Sequence, residues 1–184
     1  MAMDHFMEEV VVKHRNGLNR ALYYLSWVII VAGGAMAMLS FNVVTRSLMA
    51  GGGFDWFSLI LFLVSAGMAV YTFLFHDRIL TEYEYTFTNG ALDFAEVYNN
   101  KKRKSLGSLN VRNVESFGKV DSDKFRRYVS MPGIKRMNWF LNREAELYYF
   151  YFTKDSDKKM IILEPSEDLV SYIREYLPRG VYSE

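Results

Sequence analysis

ALYYLSWVIIVAGGAMAMLSFNVV, residues Ala21–Val44, runs for 24 positions without a charge. As an α-helix rising about 1.5 Å per residue it spans about 36 Å, against a bilayer hydrocarbon core of about 30 Å. A second uncharged run, WFSLILFLVSAGMAVYTFLF, covers Trp56–Phe75 and 20 positions, enough for about 30 Å. Between them, Thr45–Asp55 holds Arg46, Asp55 and the triplet Gly51-Gly52-Gly53, which favours a turn over a continued helix. These runs predict a transmembrane helical hairpin over residues 18–78, with spans at about 21–44 and 56–75. Core helices of soluble proteins rarely stay uncharged for so long.

The flanks agree with this reading. Tyr23, Tyr24 and Trp27 open the first run and Trp56 opens the second, where amphipathic rings favour the headgroup zone. Lys13, Arg15 and Arg20 precede the first run, His76-Asp77-Arg78 follow the second, and the connecting loop carries only Arg46. The positive-inside rule then puts both termini in the cytoplasm, in a multi-pass protein of the cell membrane. Ala35-Met36-Ala37 resembles a signal-peptide cleavage site, but the apolar run continues to Val44 and Asp4, Glu8 and Glu9 precede it. Gly33, Ala37, Ser65 and Ala69 supply small residues at four-residue spacing, suited to close helix approach. Residues 1–17 form a separate element. Met3, Phe6, Met7, Val10 and Val11 fit the template of an amphipathic helix ending near Asn16-Gly17. That helix is expected on the inner membrane surface or against the domain that follows.

After Arg78 the period changes. Glu82-Tyr83-Glu84-Tyr85-Thr86-Phe87-Thr88 alternates polar and aromatic residues, a strand pattern, and Asn89-Gly90 is a strong hairpin signal. Further strands are expected at about 91–98, 103–109, 115–120, 139–141, 143–153 and 160–163. Leu147-Tyr148-Tyr149-Phe150-Tyr151-Phe152 is apolar on both faces, so both should be covered. Ser166 caps a final helix over about 166–177, in which Leu169, Tyr172, Ile173, Tyr176 and Leu177 form the apolar stripe. The fold class is therefore an α+β membrane protein. Its hairpin is followed, over residues 79–184, by a seven-stranded antiparallel barrel or sandwich capped by a C-terminal helix, the order of a PH-like domain.

Asp4-His5-Phe6-Met7-Glu8-Glu9-Val10-Val11, Tyr83-Glu84-Tyr85-Thr86-Phe87-Thr88-Asn89-Gly90-Ala91-Leu92-Asp93, Lys102-Arg103-Lys104 and Leu163-Glu164-Pro165-Ser166 together resemble a domain-of-unknown-function family. It comprises two-pass membrane proteins of Gram-positive, clostridia-like bacteria. The chain is also similar, more distantly, to bacterial PH-like proteins of the YcxB-like kind. The resemblance implies an architecture and a source. It carries no assigned activity and no functional residues.

The chemistry narrows the function further. The chain has no cysteine, 22 Lys and Arg against 21 Asp and Glu, and a mean hydropathy of −0.03. This excludes disulfides and thiol chemistry and gives no general argument for nucleic acid. The three histidines, His5, His14 and His76, all precede residue 79. A His base or a Ser-His-Asp triad is therefore not expected in the β region. No HExxH, P-loop, GxGxxG or DxDxDG pattern is present. Glu82 and Glu84 share a strand face and read as solvated. The expectation is a protein that is not an enzyme and has no cofactor or metal site. It would be an interaction module at the inner membrane surface that binds a protein partner or anionic lipid headgroups. The alternative is a lipid-handling or envelope-maintenance role. The candidate surface contacts are Lys101, Lys102, Arg103 and Lys104 in one turn, and Lys124, Arg126, Arg127, Lys135 and Arg136 in the 121–142 segment. There they alternate with Phe125, Tyr128, Trp139 and Phe140, rings that read as core aromatics of a further strand, with insertion at the membrane interface as the alternative. A PH-type inositol phosphate site would need basic residues at the first hairpin, and Asn89-Gly90 has none.

Overall fold

The computed structural model describes residues 5–183. The chain forms two compact units: residues 15–80, and a second made of residues 5–14 together with 81–183.

The first unit is a helical hairpin. Helix α1 (Asn16–Met49) and helix α2 (Trp56–Phe75) are joined by the glycine-containing loop, and a 3₁₀ turn (His76–Leu80) follows. Asn16-Gly17 starts α1 rather than breaking an earlier helix. Asp55 caps α2 by accepting from the Ser58 backbone N–H at 3.2 Å and its hydroxyl at 2.8 Å, bonds that hold its carboxyl below the usual range. The buried positions are small: Ser26, Ala37, Ser40 and Val44 on α1, and Ser58, Ser65 and Ala69 on α2. A Cβ at Gly33 would lie 3.1 Å from the Ala69 Cβ and 3.2 Å from the Ser65 carbonyl oxygen. The small-residue contact read from the sequence is therefore real. Ser40 and Ser65 hydroxyls donate to carbonyls one turn back, at 2.9 and 2.7 Å, so neither carries an unmet polar group into the interface. The large apolar side chains point the other way: Leu18, Val31, Met38 and Phe57 are each at least 68% exposed. A soluble core helix would bury them. Both helices are long and apolar enough to cross a membrane, which suggests membrane association. Tyr23 and Trp27, read as belt residues, pack with Phe73 around the buried ring of His76.

The second unit corrects the reading of the N-terminus. Residues Phe6–Val11 are strand β1, not an amphipathic helix. Met3 lies outside the described residues. Strand β1 pairs antiparallel with β2 (Thr81–Thr88), from Phe6 opposite Thr88 to Val11 opposite Tyr83. The apolar pairs at 6–7 and 10–11 fit a helical template. The tertiary partner decides otherwise, because Val11 is buried in the domain core and Met7 packs against it.

Strands β3 (Ala91–Tyr98) and β4 (Lys102–Asn110) complete the first sheet, in the order β1-β2-β3-β4. Asn89 and Gly90 make the β2–β3 turn with φ of 49° and 95°, the conformation the dipeptide favours. The second sheet contains β5 (Ser116–Lys119), β6 (Lys135–Trp139), β7 (Tyr148–Lys154), β8 (Asp157–Leu163) and β9 (Tyr182–Ser183), in the order β6-β8-β7-β5-β9. The seven antiparallel strands expected thus become nine among the described residues. Two pairs, β6 with β8 and β5 with β9, are parallel. The extra strands are β1 and β9.

Tyr85, Phe87 and Phe94 of the first sheet and Phe117, Phe150 and Leu163 of the second share one core, which Leu169 and Ile173 of the final helix α4 (Glu167–Tyr176) also enter. A short helix α3 (Asp123–Val129) was not foreseen. Its Phe125, Tyr128 and Val129 cover Tyr149, Tyr151 and Met160 on the other face of the second sheet. This accounts for the two-faced apolar β7.

Because β1 belongs to the domain, residues 81–183 alone lack an edge of their first sheet. Replacing residues 15–80 by a short Gly/Ser linker should give a soluble domain that unfolds in one cooperative urea transition. The same domain without residues 1–14 should be less stable by about 3 kcal/mol or more, through loss of Val11 burial and of the β1 contacts to α4.

Candidate functional site

The structure divides the nine predicted basic residues among three places. Lys101 lies in the β3–β4 turn, and Lys102, Arg103 and Lys104 open β4, all exposed. The Arg103 guanidinium is 2.7 Å from the Glu84 carboxylate, and Lys104 is 3.9 Å from Glu96. Glu84, read as solvated, therefore answers one of these cations.

The second place is α3. Ser122 caps it by accepting from the Phe125 N–H at 3.3 Å. Lys124, Arg126 and Arg127 point outward, while Phe125 and Tyr128 turn inward. The Tyr128 ring stacks on Tyr151 at 4.1 Å and Phe125 meets Tyr149 at 5.2 Å. The sequence favours these rings as core aromatics, with insertion at the membrane interface as the alternative. They are the cover of β7, and Trp139 likewise packs on Phe94 at 4.7 Å. Arg126 pairs with Asp123 at 3.5 Å, but both are exposed, so the pair adds little stability. Arg136 joins this face, since its guanidinium donates to the Val129 carbonyl at the end of α3.

Lys135 goes elsewhere. It lies opposite Lys159 in the β6–β8 ladder, where Met137 lies opposite Ile161. Alternation puts Lys135 on the core-facing side of the sheet and Arg136 on the α3 side. Adjacent cations in sequence thus serve opposite faces.

Sequence reasoning missed the polar junction that ties β1 to the rest of its domain. Glu9 accepts from the Ser166 N–H at 2.8 and 3.0 Å and from its hydroxyl at 2.9 Å. Burial pushes its carboxyl up, partly offset by these bonds. Asn142, itself buried, accepts from the His14 N–H at 2.8 Å and donates to the Val12 carbonyl at 2.9 Å. It also donates to Glu164 at 2.7 Å, and that carboxylate takes the Leu141 and Asn142 backbone N–H groups at 3.3 and 3.0 Å. The Tyr85 hydroxyl donates to the Trp139 carbonyl and accepts from the Glu164 N–H, and burial raises its pKa far above the usual value. The sequence signal within it is Ser166, read as the cap of the final helix.

This junction also corrects the placing of the histidines. His5 and His14 precede the hairpin in sequence but belong to the β-rich unit. His5 Nδ1 lies 3.2 Å from a Glu175 carboxylate oxygen and 3.3 Å from the Tyr176 hydroxyl. His14 Nε2 lies 3.8 Å from Glu164.

Two sheets around one core, with a helix following the last long strand, are consistent with a PH-like domain, and here that domain is interrupted by a helical hairpin. The family model described as a bacterial PH-like domain, DUF6106, matches residues 3–183, hairpin included, and the chain belongs to that family. No curated protein and no solved structure matches the chain.

Two outcomes follow from the junction. Asn142→Ala, which removes the side-chain partner of the His14 N–H, the Val12 carbonyl and the buried Glu164 carboxylate, should cost about 1–3 kcal/mol in urea unfolding of the solubilised protein. The raised Glu9 carboxyl means that the folded state holds a proton more tightly than the unfolded chain. Its contribution to stability is therefore present below pH 4.5 and is lost as pH rises through the folded value. Compared with Glu9→Gln, the parent should lose melting temperature as pH rises above 4.5.

Proposed function

We propose that the protein is a membrane-anchored, non-catalytic interaction module. Its hairpin spans the bilayer and its PH-like domain presents a binding surface at the cytoplasmic face to a protein partner. The observation that carries this reading is the β1–β2 ladder. One strand precedes the hairpin, the other follows it, and they are hydrogen-bonded neighbours. Both ends of the hairpin must then emerge in one compartment, which two spans allow and a single span forbids. Cleavage near Ala37 would also remove β1, and with it the Glu9 contact at the start of α4. Retention of the first span is therefore part of the proposal. Lys13, Arg15 and Arg20 on one flank and Arg78 on the other, against Arg46 alone near the loop, support a cytoplasmic domain. Tethering raises the effective concentration of any membrane partner, so a modest surface suffices.

The lipid-handling reading keeps one supporting observation. Lys124, Arg126 and Arg127 are exposed on α3, and near an anionic leaflet each basic residue contributes about 1 kcal/mol. Their neighbouring rings are committed to the core, so that contact would be electrostatic and salt-sensitive.

The natural absence of cysteine makes topology directly testable. In intact cells an impermeant maleimide should label Gly52→Cys, and should label Asp157→Cys only after permeabilisation. The reverse pattern would put the domain outside. For the lipid reading, amide exchange across 123–129 should slow in anionic nanodiscs relative to neutral ones. Lys124→Gln/Arg126→Gln/Arg127→Gln should cancel the difference. Equal exchange in both membranes leaves the protein-partner reading.

A further inference from the structure

The core-facing side of the second sheet ends in lysines. Ile161 and Leu163 of β8 are buried in the core, and the two-residue period puts Lys159 on the same side. Phe152 of β7 lies opposite Lys159, and Lys154 follows two residues on, again on that side. Lys154 and Lys159 line a groove of about 120 Å³ together with Phe94, Trp139, Phe152 and residues 106–108 of β4. Lys159 is half-buried, and neither lysine has an ion-pair partner among the described residues. The outer edge of β4 has no neighbouring strand among the described residues.

Size decides what class of ligand fits. Small-molecule sites usually enclose about 300–1,000 Å³, so this groove suits one apolar side chain of a larger ligand. The free edge beside it offers backbone hydrogen bonds to an extended chain. The unpartnered lysines call for carboxylates, and exposed Lys102 adds a positive charge at the start of β4, the edge strand itself. A lipid has no backbone to pair with β4, and its acyl chain exceeds the groove. We infer that the β4 edge and this groove form a docking site for an extended acidic segment of a partner protein. The segment adds to β4 as a strand, seats one apolar side chain on Phe94, Trp139 and Phe152, and sets carboxylates against Lys154 and Lys159. This rests on the protein-partner reading above and gives that partner its chemistry.

The test uses the full chain in neutral-lipid nanodiscs and a phage-displayed library of random octapeptides. Enriched peptides should lack proline and place Asp or Glu around one large apolar residue. A fluorescein-labelled enriched peptide should lose about tenfold in affinity on Lys154→Glu/Lys159→Glu, with the melting temperature unchanged. If that pair does not fold, Lys154→Gln/Lys159→Gln carries the same comparison with a smaller loss. Absence of enrichment, enrichment without acidic bias, or an affinity indifferent to both pairs overturns the inference. So does binding of anionic vesicles that depends on these lysines while no peptide is enriched. The anchored-module reading fails separately, through the cysteine-labelling pattern.

Discussion

The ladder between β1 and β2 is the constraint on which the rest of the domain depends. It joins a strand made before the hairpin to one made after it, in a register running from Phe6 opposite Thr88 to Val11 opposite Tyr83. A slip of one residue would turn Met7, Glu9 and Val11 away from the core and Phe6, Glu8 and Val10 into it. The register is also held at its start. The Asn89 N–H donates to the His5 carbonyl and the His5 N–H to the Asn89 side chain, both at 3.0 Å. Only in this register does Glu9 reach Ser166, where α4 begins, and α4 supplies Leu169 and Ile173 to the core.

The polar groups around this ladder act as a latch because burial makes their bonds costly to lose. Asn142 holds His14 and Val12 on one side and Glu164 on the other, and Glu164 is in turn held by backbone N–H groups of the segment that carries Asn142. Replacing the set by apolar residues of similar shape would remove its desolvation cost. It would also remove the demand that residues 12–14 stop at one place. The latch fixes where the chain leaves the domain, immediately before α1 begins at Asn16.

Long elements with strong local patterns were readable without the structure. The two apolar runs became α1 and α2, Asn89-Gly90 became a tight turn, and the stripe beginning at Leu169 became α4. Strand β1 was hidden by Glu9. A carboxylate at a core-facing position breaks the alternation that marks a strand, and its purpose lies at Ser166, far along the chain. Helix α3 was hidden by its brevity, although Ser122 and the Phe125–Tyr128–Val129 spacing were present. Of the candidate surface, exposure of the basic residues was readable, and the rings among them were open between core and membrane interface, with the core favoured. Phe125 and Tyr128 face Tyr149 and Tyr151, which the sequence already marked as needing a cover. The opposite destinations of Lys135 and Arg136 required the β6 register, which the reading placed four residues too late.

Interrupting a sheet between adjacent strands with residues 15–80 costs less than it suggests. Closure entropy grows slowly with length, by about 0.6 kcal/mol for each doubling of a flexible loop, and this insertion is not flexible. Within the hairpin itself, Gly33 packs against Ser65 and Ala69, and the Asn19 side-chain amide donates to the Ile79 carbonyl at 3.2 Å. The second contact joins the first turn of α1 to the last residues before β2, so the hairpin brings its own two ends together. The sheet closes the same crossing from the domain side through Val11 and Tyr83. Contacts within each of the two compact units thus make one connection short. A hairpin that packs first offers β1 to β2 already within reach, and a domain that forms its ladder leaves the hairpin only the antiparallel arrangement. This reciprocity gives a physical reason for the strand before the spans to belong to the domain after them.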